Sequence, residues 1–245
     1  MRFTIDGYIE LLEILRENDY NIADYQEFQK YKRCVILRHD VDFDLHRALS
    51  LAKIEYHYGV KSTYFILLTS NFYNIFSQRN KEIVNEIQDM GHTIGLHFDE
   101  MAYPQNAGIA DKIEQDIRKE LCVLSELFAT DITVFSYHRP TKSILDANIK
   151  LQGIVNSYGT LFFKEFKYLS DSRMNWREPV LDIVREGFYP QLHILTHPFW
   201  YYEKEKHIRE IISEFLNRAG MERYSELNDN FTNLKDVIEW RNIKT

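Results

Sequence analysis

Four segments of the sequence place ionisable side chains directly after apolar runs. They are Arg38-His39-Asp40-Val41-Asp42, His97-Phe98-Asp99-Glu100, Tyr137-His138-Arg139-Pro140 and Thr196-His197-Pro198. Charge at the end of a packed strand is costly unless partners converge on it. Four such ends in one sheet or barrel would point at one another. In the first segment, strand alternation puts Arg38, Asp40 and Asp42 on one face. Two carboxylates on one face repel, and a divalent cation would separate them, leaving one as ligand and the other as base. The structural alternative is that Asp42 caps the next helix and Asp40 pairs with Arg38. Both aspartates standing together at a strand end favours chemistry.

His97 and Asp99 share a face if their strand continues, and such a pair is a partial site for a metal that prefers nitrogen and oxygen, such as zinc. His197 suits a general acid near neutral pH. The aromatic residues that follow it, Phe199 to Tyr202, are either a sugar-stacking platform or packing. His92, just after Gly91 at a helix end, reads as structural. The residue types therefore predict a metal-dependent hydrolase built on Asp40, Asp42, His97 and His197.

The elements that must position these residues alternate in type. Apolar periodicity predicts helices over 5–16, 25–31, 45–58, 82–90, 109–128, 179–186 and 203–216, and a closing helix within 217–245 that carries Leu234, Val237 and Trp240. Short apolar runs predict strands over 34–37, 62–68, 93–96, 132–135, 168–169 and 191–195. Alternation of strand and helix implies parallel β/α units, whose chemistry sits at the C-terminal strand ends. No repeat or Gly/Ser/Pro-rich linker interrupts the chain. It reads as a single domain over 1–245, with 1–33 as an N-terminal helical extension.

Composition narrows the partners. The 245 residues carry a formal net charge of -7 with no stripe of Lys and Arg, which argues against nucleic acid. Cys34 and Cys122 stand alone in apolar runs and read as buried thiols in a reducing compartment, with no Cys-x-x-Cys pair for zinc. Asp6, Glu10 and Glu13 interrupt what a signal peptide would need, and no apolar stretch is long enough to span a bilayer. A cytoplasmic location is the expectation. Oligomeric state is not legible.

Taken in order, the segments resemble the polysaccharide deacetylase (NodB homology) superfamily, carbohydrate esterase family 4. The residues that carry the resemblance are Asp40-Val41-Asp42, Gly91-His92-Thr93-Ile94-Gly95-Leu96-His97, Arg139-Pro140, Asp171 with Trp176, and Leu195-Thr196-His197. It runs from about Cys34 to Tyr202. It implies a distorted (β/α) barrel with fewer strands than the eightfold barrel, and removal of an acetyl group from an N-acetylated sugar or surface-polysaccharide precursor. It also implies roles. Asp40 would be the base and His197 the acid. Arg139 would orient Asp40, with Asp171 behind it. Asp42 and His97 would hold a divalent metal, zinc in relatives. The family's second histidine falls on Met101, a poor ligand. The third ligand is then Asp99, Glu100, His138 or water, and strand alternation favours Asp99. His138, Trp176 and Trp200 are expected to contact substrate. Hydrolysis of another cyclic or linear amide, and a non-catalytic glycan-binding relative, are the alternatives.

Overall fold

The computed structural model describes residues 1–243. They form two compact units, Met1–Glu203 and Lys204–Thr245, where the sequence predicts one domain. No shift in composition marks the boundary.

The first unit is built on parallel strands β1 (Asn21–Ile22), β2 (Cys34–Val41), β3 (Thr63–Leu67), β4 (Thr93–Phe98), β5 (Val134–Tyr137), β6 (Val155–Asn156), β7 (Lys167–Ser170) and β8 (Gln191–Thr196). They pair in the order β6-β5-β4-β3-β2-β8-β7, and β1 pairs with the start of β2. Within the N-terminal extension 1–33, Asn21 and Ile22 thus join the sheet. Among the described residues the end strands do not pair with each other. Tyr158 and Tyr168 instead meet across that gap at 6.5 Å between ring centroids. The sheet is a distorted barrel, as expected, with these two rings facing each other across its open edge.

Helices α1 (Ile5–Glu17), α2 (Leu45–His57), α3 (Gln78–Asp89), α4 (Ala110–Phe128) and α6 (Val180–Glu186) follow the predicted order, and α5 (Lys142–Ala147) is an additional short helix. Their starts are set by local chemistry. Thr4, Asp44, Ser77 and Thr141 each accept a backbone N–H of the first turn of α1, α2, α3 and α5. The cap of α2 is therefore Asp44, which leaves Asp42 free for other partners. The helix expected over 25–31 is only a 3-10 turn, Phe28–Lys30.

Every residue of β2 is buried. Its inward residues Cys34 and Ile36 join Tyr25, Phe28, Phe65, Val134, Phe162 and Phe166 in a plug low in the barrel. Its outward residue Val41 joins the larger core, which includes residues of α2, α3 and α4. Gly95 of β4 fits against this plug, since a Cβ there would lie 2.6 Å from the Phe65 ring. Cys34 is buried as expected, but Cys122 is exposed on α4, whose buried stripe runs through Ile113, Ile117, Leu121 and Leu124.

In the second unit, α7 (Ile208–Asn230) runs about four turns beyond the predicted end at Leu216, and α8 (Leu234–Val237) is a single turn. Gly220 of α7 lets the Trp240 ring approach, and Tyr224 donates to the carbonyl of Ile238 at 2.8 Å. Of the closing helix expected within 217–245, Leu234 and Val237 lie on α8 and Trp240 starts a 3-10 turn, while positions 244–245 lie outside the described residues. No described helix is long and apolar enough to cross a membrane.

Candidate metal and acid–base site

The C-terminal ends of β2, β4, β5 and β8 bring Asp40, Asp42, His97, His138 and His197 together. β2 pairs with β3, β3 with β4 and β4 with β5, so the strand ends form a rim. Asp42 Oδ1 lies 3.1 Å from His97 Nε2 and 3.2 Å from His138 Nδ1. One ligand atom from each of Asp42, His97 and His138 falls within 4.8 Å of the others. One carboxylate oxygen with two imidazole nitrogens is a donor set suited to a first-row divalent metal, and three protein ligands leave a position for substrate. His97 Nδ1 meets Ser136 Oγ at 2.6 Å, a partner that fixes the ring's orientation. Burial works against charge on Asp42, but hydrogen bonds from His138 and His97 outweigh it and hold the carboxyl well below the usual carboxylate range.

Asp99 is not part of this group. β4 ends at Phe98, so the strand alternation that favoured Asp99 stops one residue short. Its side chain instead accepts the Met101 amide at 3.0 Å and pairs with Arg139 at 3.0 Å. Glu100 turns away to accept the Thr141 amide. Met101 is an exposed side chain. His138 supplies the donor that the β4 segment lacks. It was expected to contact substrate and was only one of several possible third ligands.

Arg139 does not reach Asp40. Its backbone has φ of 51°, and its side chain is 69% exposed and bonded to Asp99. Arg38 holds Asp40 instead. Its Nη2 lies 2.9 and 2.7 Å from the two carboxylate oxygens and its Nε lies 3.2 Å from Oδ1. The pairing first read as the structural alternative is therefore present, within the site. Burial alone would raise the Asp40 pKa, but Arg38, then His97 and His197, bring it below the usual value.

Asp171 stands behind His197, not behind Arg139. It accepts from His197 Nδ1 at 2.6 Å, from the His197 amide at 3.0 Å and from Tyr201 Oη at 2.9 Å. Nδ1 therefore carries a proton, and Nε2 is the free end, 3.8 Å from Asp42 Oδ2. Burial would lower the His197 pKa, but Asp171, then Asp42 and Asp40, push it up to about 9.

Two expected substrate contacts are differently placed. Trp200 is buried against Phe199, with ring centroids 4.9 Å apart, so it serves packing more than an open platform. Trp176 is half-buried on the loop after β7.

Sequence reasoning missed the outward face of β2. His39 Nε2 lies 2.9 Å from Glu55 Oε1, and Nδ1 lies 2.6 Å from Thr196 Oγ1. Glu55 also accepts from Tyr8, Ser62 and Tyr64, each at 2.6 Å. His92 borders this knot, and burial lowers its pKa, so it is structural but not the charged helix end expected. His193 lies inside the barrel. Its Nδ1 faces the Phe162 carbonyl at 2.9 Å and must donate, so Nε2 accepts from Tyr25 Oη at 2.7 Å. Burial drives its pKa down to about 3.

No protein-family model and no curated protein matches the sequence. Solved structures do match. A Streptococcus mutans CE4 esterase aligns at 16% identity and TM-score 0.50, over 82% of this chain and 85% of its own. The catalytic domain of a peptidoglycan N-acetylglucosamine deacetylase from Eubacterium rectale aligns at 14% identity and TM-score 0.47, over 77% and 84%. A CE4 family pseudoenzyme from Bacillus anthracis aligns at 15% identity and TM-score 0.43, over 78% and 62%. The fold is that of the carbohydrate esterase family 4 proteins, which the motifs resemble.

Proposed function

We propose that the protein is a metal-dependent hydrolase that removes the N-acetyl group of a sugar or surface-polysaccharide precursor. One observation carries this reading. Asp42, His97 and His138, a donor set that could hold a metal ion, lie beside Asp40, whose carboxylate pairs with Arg38, and beside His197, whose Nε2 is 3.8 Å from Asp42. An amide hydrolase needs those three functions within one site.

Asp42, His97 and His138 would hold the ion, with zinc the expected metal. A bound ion supplies Lewis acidity at the acyl carbonyl. Asp40 takes a proton from the attacking water as that oxygen bonds to the carbonyl carbon. His197 delivers its Nε2 proton to the nitrogen as the C–N bond breaks, releasing acetate and a free amine. Asp171 keeps the His197 proton on Nδ1, so that Nε2 is the acid.

The test is metal analysis of the purified chain together with acetate release from a panel of N-acetylsugars, with and without chelator. Metal-dependent release that Asp40→Asn abolishes supports the reading. Turnover of cyclic amides alone would move the substrate class. A folded, metal-free chain inactive on every amide would leave a non-catalytic glycan-binding role.

A further inference from the structure

Asp40 and Asp42 reach the same imidazole. His97 Nε2 lies 3.1 Å from Asp42 and 3.8 Å from Asp40. A small side-chain movement would let Asp40 enter the same metal shell, where it could no longer take a proton from water. Some feature of the chain must keep the two carboxylates in different roles.

We propose that Arg38 is the positioning residue that reserves Asp40 for proton transfer by keeping it out of the metal shell. This rests on the reading above that Asp42, His97 and His138 hold a metal. Two guanidinium nitrogens take the two oxygens of Asp40, Nε on Oδ1 at 3.2 Å and Nη2 on Oδ2 at 2.7 Å, a fork that an ammonium cannot reproduce. A dication bound to Asp40 would sit against that positive charge. The fork is itself immobilised. Arg38 is wholly buried, and its Cζ lies 4.9 Å from the ring centroids of both Phe65 and Tyr158. Nη1 donates to Ser157 Oγ at 2.9 Å. Phe65 belongs to β3, while Ser157 and Tyr158 follow β6 at the sheet's end, so the clamp spans the barrel interior. Arg139 cannot substitute, since it faces Asp99.

The visible spectrum of the cobalt(II)-loaded full chain reports the shell without relying on turnover. Asp40→Asn is expected to leave the wild-type spectrum unchanged, because Asp40 is not a ligand. Arg38→Gln is expected to weaken the absorption and tighten cobalt binding, as a carboxylate joins the shell and raises the coordination number. Arg38→Gln with Asp40→Asn should restore the wild-type spectrum. If Arg38→Gln does not fold, Arg38→Lys keeps the charge, loses the fork and should show the same shift at reduced size. A wild-type spectrum in the folded Arg38 variant, or an altered one in Asp40→Asn, overturns the role of Arg38 alone. Failure of the wild-type chain to bind cobalt overturns the metal centre itself, and the assignment with it.

Discussion

Asp171 and His197 are bonded twice, through Nδ1 at 2.6 Å and through the His197 amide at 3.0 Å. The carboxylate therefore fixes both the ring and the backbone that carries it. The His197 pKa is pushed up to about 9 from 6.5. A histidine with a raised folded pKa stabilises fully below the unfolded value, and this is lost as pH rises through the folded one. Stability should fall between about pH 6.5 and 9 by on the order of 2 kcal/mol. Urea midpoints across that range should show the fall in the wild type and not in Asp171→Asn. In the proposed reaction the rate should fall on the alkaline side as His197 loses its proton.

In the proposed metal shell His138 is a ligand and Asp99 is not. His138→Ala should weaken zinc binding by more than the about 10–100-fold that loss of a supporting partner costs, and Ser136→Ala by about tenfold. Asp99→Ala should leave it unchanged. Competition titration with a zinc chelator measures all three. Equal losses for His138 and Asp99 would contradict the donor set.

Glu55 collects its hydrogen bonds without exposure to solvent. Burial would raise its pKa, but His39, then His92 and Ser62, hold it down at about 2. A depressed carboxylate stabilises above its unfolded pKa and loses this as pH falls through the folded one. Glu55→Gln should cost about 3–5 kcal/mol at neutral pH, as loss of a buried charge partner does. It should also flatten the loss of stability between about pH 4.5 and 2. Chemical denaturation at several pH values checks both.

Gly95→Ala should destabilise by about 1–3 kcal/mol, the range for overpacking a core. The added Cβ meets the Phe65 ring at 2.6 Å and Val134 Cγ1 at 3.1 Å. Thermal unfolding measures the loss. Phe65 stacks on Arg38, so the same variant should also show the cobalt shift expected of a loosened Arg38.

Much of the site was legible because it is local. Asp40, Asp42, His97 and His197 each end an apolar run, and alternation alone puts Arg38 beside Asp40. What was hidden depends on where strands stop and how they register. β4 ends at Phe98, which sends Asp99 into a turn, while β5 runs to Tyr137 and carries His138 to the rim. The partner of Asp171 is fixed by β7 pairing with β8, with Ser170 opposite Leu195. Glu55 reads as one polar residue on an amphipathic helix. Only the packing of α2 against the sheet reveals its four partners.

The two faces of β2 carry opposite kinds of polar pair, Arg38 with Asp40 inside and His39 with Glu55 outside. A slip of one residue in strand pairing would exchange the faces. Arg38 and Asp40 would enter the apolar outer layer, and Glu55 would lose its imidazole. An apolar strand would tolerate such an error far better, since it strands no charge. β2 thus discriminates against its own mispaired forms, and the native register is the one that places Arg38 with Asp40 inside the barrel and His39 with Glu55 outside it.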